Sequence, residues 1–162
     1  MKRPRFTIFS LLCASVASFA AQPYTPTEVE GKQLSAKLGA SAGAVKQGEH
    51  VTLTLDLDLY PGMHVYAPGV EGYIPIDWKM PASPAAAAKA AVFPPSKKLF
   101  LPAVNETVPA YQGHFRLTRE ITVSQPGPIT VTGALRYQAC DDRVCYIPQT
   151  LALKWTFQKA AQ

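Results

Sequence analysis

The chain has 162 residues, 48% of them apolar and 17% charged, and carries 15 prolines. That is enough for one domain with a core, and so much proline and turn chemistry favours all-β architecture over helices. The formal charge of +5 shrinks once Lys2, Arg3 and Arg5 are assigned to a leader. Thirteen basic residues then face eleven acidic ones, and no basic stripe interleaved with aromatics remains to bind nucleic acid.

Residues 1–20 read as a cleaved signal peptide. A basic start precedes the short apolar run 6–16, and Ser18-Phe19-Ala20 offers small residues where a signal peptidase reads, so cleavage is expected after Ala20. The run is too short for a permanent membrane anchor. Cys13 falls inside it, but Leu12 stands where lipidation wants a small residue, so no acyl anchor is expected there. Export leaves Cys140 and Cys145 as the mature cysteines, in a compartment where such a pair is a disulfide at least part of the time.

Residues 21–32, with Gln22-Pro23-Tyr24-Thr25-Pro26, read as a flexible lead-in to a domain spanning 33–160. Gln33 to Ser41 alternates weakly, as a first strand. His50 to Leu59 alternates without error, Val51, Leu53, Leu55, Leu57 and Leu59 forming one apolar face. Tyr60-Pro61-Gly62 breaks this strand. Ile74, Ile76, Trp78 and Met80 share a face, with Pro75 on the other, which suits an edge strand or a bulge. Ser83 to Ala91 is alanine-rich but bracketed by prolines, and reads as a loop or irregular strand. Phe115, Leu117, Ile121 and Val123 alternate, with Arg119 intruding as at an edge or bulge. Gln125-Pro126-Gly127-Pro128 then turns the chain. Ile129, Val131, Leu135 and Tyr137 lead to the first mature cysteine, and Leu151, Leu153, Trp155 and Phe157 follow the second. Six to nine short strands of this kind predict a β-sandwich rather than a small barrel.

Cys140 and Cys145 therefore sit at the tip of a predicted hairpin, where a rigid scaffold presents chemistry. Three readings of the pair stand at this point. As a staple, a six-residue ring would contribute only roughly 2 kcal/mol, less than a bond joining distant strands. As a redox centre, a tight disulfide at a loop tip is reducible, while Asp141 and Asp142 disfavour a Cys140 thiolate and Arg143 favours one. As a metal site, the thiolates would need His64 or His114, with Met63 and Met80 as further soft ligands, yet no second short-spaced ligand pair accompanies them. The lone histidines read as surface or capped residues.

Tyr137-Gln138-Ala139-Cys140, four residues, then Cys145-Tyr146-Ile147-Pro148-Gln149-Thr150 resembles the redox motif of the N-terminal periplasmic domain of the thiol:disulfide interchange protein DsbD. Pro61-Gly62-Met63-His64-Val65-Tyr66-Ala67, Phe93-Pro94-Pro95 and Ala110-Tyr111-Gln112-Gly113 resemble further landmarks of that family, in the same order. The resemblance implies an immunoglobulin-like β-sandwich that relays reducing equivalents in the periplasm through a redox-active Cys140–Cys145 disulfide, with no cofactor and no metal. It implies that Cys145 forms mixed disulfides with thioredoxin-like periplasmic proteins, including those of cytochrome c biogenesis, and that Cys140 resolves them. Tyr137, Tyr146 and Phe100 are the expected packing or shielding residues, Phe100 as the tip of a cap loop. The motif departs from the family in being one residue shorter between the cysteines and in having Ile147 where a second proline is common. With no membrane-spanning segment and no thioredoxin motif in the chain, the electron source is expected to be a separate integral membrane transporter. The competing expectation is a non-catalytic interaction module with an inert disulfide.

Overall fold

The computed structural model describes residues 22–102 and 104–161; the expected leader and Cys13 lie outside them. Thirteen strands are present among the described residues, with no helix. The segment expected to be a flexible lead-in contains the first, β1 (Thr27–Glu30), paired antiparallel with β2 (Leu34–Ala40). Its side chains are mostly exposed, so backbone hydrogen bonds hold it in place and no apolar alternation announces it.

The chain continues through β3 (Ala44–Val45) to β4 (His50–Leu59), whose five apolar residues are all buried as their alternation requires. A turn follows in which Met63 N donates to Tyr60 O at 3.0 Å, and Gly62 takes φ 81°, a conformation that only glycine adopts without strain. Next come β5 (His64–Tyr66), β6 (Asp77–Lys79), β7 (Ala86–Ala88), β8 (Lys97–Leu101) and β9 (Glu106–Gln112). They are followed by β10 (His114–Val123), β11 (Ile129–Tyr137), β12 (Ala139–Cys140) and β13 (Gln149–Lys159).

The strands form three sheets, ordered β1-β2-β4-β10-β7, β3-β13-β11-β6 and β12-β5-β9-β8. The inner faces of the first two enclose one core, containing Leu38, Leu53, Leu55 and Leu117 from one side and Leu135, Trp155 and Phe157 from the other. This is an immunoglobulin-like β-sandwich, with the sheets open rather than closed into a barrel. Trp155 Nε1 donates to Gly39 O at 3.0 Å across the core. β6 lies at a sheet edge, as Pro75 suggested.

Arg119 sits neither at an edge nor at a bulge. β10 pairs with β4 without interruption through Arg119↔Leu53. The guanidinium crosses to the other sheet, donating from Nη2 to Trp78 O at 2.6 Å and lying 5.1 Å from the centre of the Trp78 ring. A half-buried charge thus occupies a core position by bonding the opposing sheet, and burial lowers its pKa.

Candidate functional site

The third sheet places the cysteines. Ala139 pairs with Val65, and Val65 with Tyr111; all three pack into the main core. One residue on, Cys140 pairs with His64, and successive strand residues point to opposite faces. Cys140 therefore enters a second, smaller apolar cluster with Tyr66 and Val108. The predicted hairpin of β11 and β13 is present, closing with Tyr137↔Gln149. Its connection is not a free tip, because β12 adds it to the edge of β5.

Beyond Cys140 the chain leaves the ladder in a tight turn organised by Asp141. The Asp141 carboxylate accepts hydrogen bonds from Arg143 N and Val144 N and from the Tyr146 hydroxyl, each at 2.8 Å. The two amides and then the hydroxyl hold this carboxyl below its ordinary range. Backbone bonds from Asp141 N to Val144 O and from Tyr146 N to Ala139 O return the chain antiparallel to itself. Cys140 and Cys145 face each other across this return as a disulfide, with a Cα–Cα distance of 4.0 Å.

The two sulfurs have different surroundings. Cys140 is 1% exposed, whereas Cys145 is exposed. Both line a cavity of about 150 Å³ between this loop and the β8–β9 hairpin, with Leu99, Phe100 and Val104 on the hairpin side. Phe100, expected at a cap loop, lines the cavity and is 54% exposed, so it is not an ordinary core residue. Tyr146 steadies the loop through Asp141 and is not part of the cavity wall. Tyr137, expected near the disulfide, is buried in the main core with its ring against Gly31. The parity of β11 sends it inward, away from the cavity.

Two aromatic residues of the wall were not assigned to the site from sequence. The buried Tyr66 carries its hydroxyl 3.7 Å from Cys145 Sγ, and with both sulfurs in the disulfide only the hydroxyl can donate. Its ring lies edge-on to His64 at 5.3 Å and against Tyr73 at 4.3 Å. Tyr73 in turn donates to Glu106 at 2.6 Å, and this bond pushes its pKa up to about 12. Burial also raises the Tyr66 pKa, so both phenols stay protonated at neutral pH.

His64 corrects the expectation of a surface or capped residue. It is 2% exposed, and its Nε2 is buried without a hydrogen-bond partner. Burial lowers its pKa, partly offset by Asp142 and Asp141. The signal lay in its neighbours: a histidine inside the unbroken apolar run Met63–Ala67 has no wet face to occupy. His114 instead lies on the exposed face of β10, bonding Asp58 at 3.0 Å. No group of three or more His, Cys, Asp or Glu side chains is arranged around a metal-sized site among the described residues. The two remaining sequence landmarks meet, since the Tyr111 hydroxyl donates to Pro94 O at 2.7 Å.

Two solved structures are similar to this chain. The N-terminal periplasmic domain of ScsB from Proteus mirabilis is similar over 83% of this chain, at 16% identity and a TM-score of 0.53; the chain spans about half (51%) of that protein's length. The Neisseria meningitidis DsbD N-terminal domain, in its reduced form, overlaps 76% of this chain and 84% of its own length, at 13% identity and a TM-score of 0.47. No curated protein sequence matches. The family described as thiol:disulfide interchange protein DsbD, N-terminal, matches residues 33–156, which include both cysteines and the cavity around them. The chain belongs to this family of thiol:disulfide interchange domains.

Proposed function

We propose that the protein is a periplasmic dithiol relay, which takes reducing equivalents from a thioredoxin-like or membrane-bound donor and passes them to thioredoxin-like acceptors. The observation that carries this reading is the unequal access to the two sulfurs. A donor thiolate can approach only Cys145 Sγ, because Cys140 is 1% exposed beneath its own loop. Attack there forms a donor–Cys145 disulfide and expels the Cys140 thiolate, which takes up a proton. The donor's second thiolate then attacks its own sulfur in the mixed disulfide and releases reduced Cys145, leaving the donor oxidised. Forwarding reverses the sequence. Cys145 attacks an acceptor disulfide, Cys140 resolves the intermediate, and two electrons and two protons have moved. The reaction so written uses no cofactor, since both electrons travel in the S–S bond.

The surroundings of Cys145 support a protein partner. Phe100, Val104, Val144, Tyr146 and Ile147 are all exposed large hydrophobic residues, and all belong to the two segments beside the disulfide. Elsewhere among the described residues only Tyr60 and Val92 are of this kind. Such clustering marks an interaction surface.

The test uses a thioredoxin-like domain with a single attacking cysteine, carried as its thionitrobenzoate adduct. Cys140→Ala should accumulate a stable mixed disulfide with it, whereas Cys145→Ala should accumulate little. Equal trapping by both variants, or none by either, would refute the assigned roles.

A further inference from the structure

A buried resolving thiol raises a chemical problem that the relay must solve. Cys140 has to lose a proton before it can attack Cys145 Sγ, and it regains one each time it is expelled. With 1% of its surface exposed, bulk water does not serve it directly. Asp141 and Asp142 beside it oppose a thiolate further.

One group is placed to carry this proton. His64 is the cross-strand partner of Cys140 in the β5–β12 ladder, and directly opposed residues of an antiparallel pair project to the same face. Both line the same cavity. The imidazole is itself 2% exposed, and its Nε2 has no partner while the sulfurs are oxidised. An unpaired buried polar atom is costly, and here the cost is removed if reduction supplies the Cys140 thiol or thiolate as partner.

We propose that His64 is the proton acceptor and donor for Cys140 during thiol–disulfide exchange. This rests on the relay function proposed above. In the resolving step the Cys140 S–H proton passes to the neutral imidazole, the Cys140 electron pair forms the bond to Cys145 Sγ, and the partner sulfur leaves with the electrons of the broken bond. The imidazolium then gives its proton to the leaving thiolate or to water. In the reductive direction the imidazolium protonates Cys140 as it is expelled.

The groups around the ring fit this role. Asp141, Asp142 and Arg143 face the cavity from the loop, Tyr66 stands on the same strand with Tyr73 behind it, and Gln112 is the neutral partner from β9. Glu106 is engaged by the Tyr73 hydroxyl. Burial keeps the resting imidazole neutral at pH 7, while the two aspartates leave an imidazolium attainable.

The reduced full chain carrying Cys13→Ala, which leaves Cys140 and Cys145 as its thiols, is mixed with dithiobis(nitrobenzoate) and tests the proposal in two phases. The first equivalent of thionitrobenzoate reports attack by Cys145, and the second reports resolution by Cys140. In His64→Asn the second phase should be slowed far more than the first. The second should be at least about tenfold slower at pH 7, because an unassisted thiol of pKa near 8.5 is only a few per cent ionised there. The deficit should narrow as the pH rises above 9, where hydroxide increasingly replaces the missing base. An unchanged second phase across this range would overturn the role of His64 and leave the relay intact. Absence of a second equivalent from the Cys13→Ala protein with His64 intact would overturn the relay itself. A measurement without substitution guards against misfolding of the variant: NMR titration of His64 in the wild-type protein should give different midpoints in the oxidised and reduced forms. Identical midpoints would refute the coupling.

Discussion

Reducing the disulfide should cost the protein little stability. The bond joins residues five apart, closing a six-residue ring, and the loss of chain entropy in the unfolded state for such a ring corresponds to roughly 2 kcal/mol. The folded loop does not depend on the bond for its shape. Cys140 stays in the ladder with His64, the Asp141–Val144 and Ala139–Tyr146 backbone bonds close the return, and the Asp141 carboxylate holds three donors. By thermodynamic linkage, about 2 kcal/mol makes this disulfide roughly 45 mV harder to reduce in the folded chain than in the unfolded one. That is a small bias, as the proposed relay requires of a bond that opens in every cycle. Urea unfolding followed by tryptophan fluorescence, with and without reductant, should show one cooperative transition in each case, with midpoints differing by on the order of 1 M. A Cys140→Ala/Cys145→Ala variant should match the reduced form. Loss of the transition on reduction, or a difference above about 4 kcal/mol, would refute the reasoning. The bond would then be a structural staple, and a non-catalytic interaction module would be the better reading.

Phe100→Ala removes an exposed wall of the cavity, so stability should change by less than about 1 kcal/mol while reduction by dithiothreitol becomes several-fold faster; an unaltered rate would mean that Phe100 shields nothing. Asp141 has its pKa depressed by native hydrogen bonds, so its contribution is complete above the ordinary value of 3.8 and is lost as the pH falls through the lower folded value. Arg143 and Val144 amide shifts should therefore titrate together with a midpoint below 3.8, and Asp141→Asn should abolish that titration. In Gly31→Ala the new Cβ would meet the buried Tyr137 hydroxyl and crowd Leu34 O at 3.1 Å, which predicts a loss of about 1–3 kcal/mol in denaturant unfolding. Tyr137→Phe should recover part of this loss; strict additivity of the two substitutions would show that the contact is not its cause.

The sandwich was legible wherever burial is one-sided. His50 to Leu59, Phe115 to Val123 and Leu151 to Phe157 alternate in sequence because each strand has one face in the core and one in water. Strands held chiefly by backbone bonds left no such trace, as β1 at Thr27–Glu30 and β8 at Lys97–Leu101 illustrate. The site divides in the same way. The cysteines and Phe100 could be picked out from motif and position. Tyr66 could not be set against Cys145, nor His64 against Cys140, because those proximities arise from pairing across 79 and 76 positions respectively. Tyr137 misled for a local reason: closeness to Cys140 in sequence says nothing of direction when side chains alternate between faces.

That same alternation decides which cysteine is open to attack from outside. A strand of two residues turns Ala139 to the main core and Cys140 to the second cluster, and the Asp141 turn then brings Cys145 back at the surface. Any exchange initiated from outside must therefore expel Cys140 into a buried site beside two carboxylates, where its thiolate is a poor leaving group. This slows reaction with every thiol alike. A small thiol has nothing with which to offset the barrier, whereas a protein can bury the apolar rim from Phe100 to Ile147 as it attacks, and so recover binding energy at the moment the S–S bond is stretched. In the proposed relay, selectivity for protein partners then follows from one strand register and five exposed side chains, and a polar substitution of Ile147, which lies on the rim but outside the cavity, should slow exchange with protein dithiols while leaving the rate with small thiols nearly unchanged.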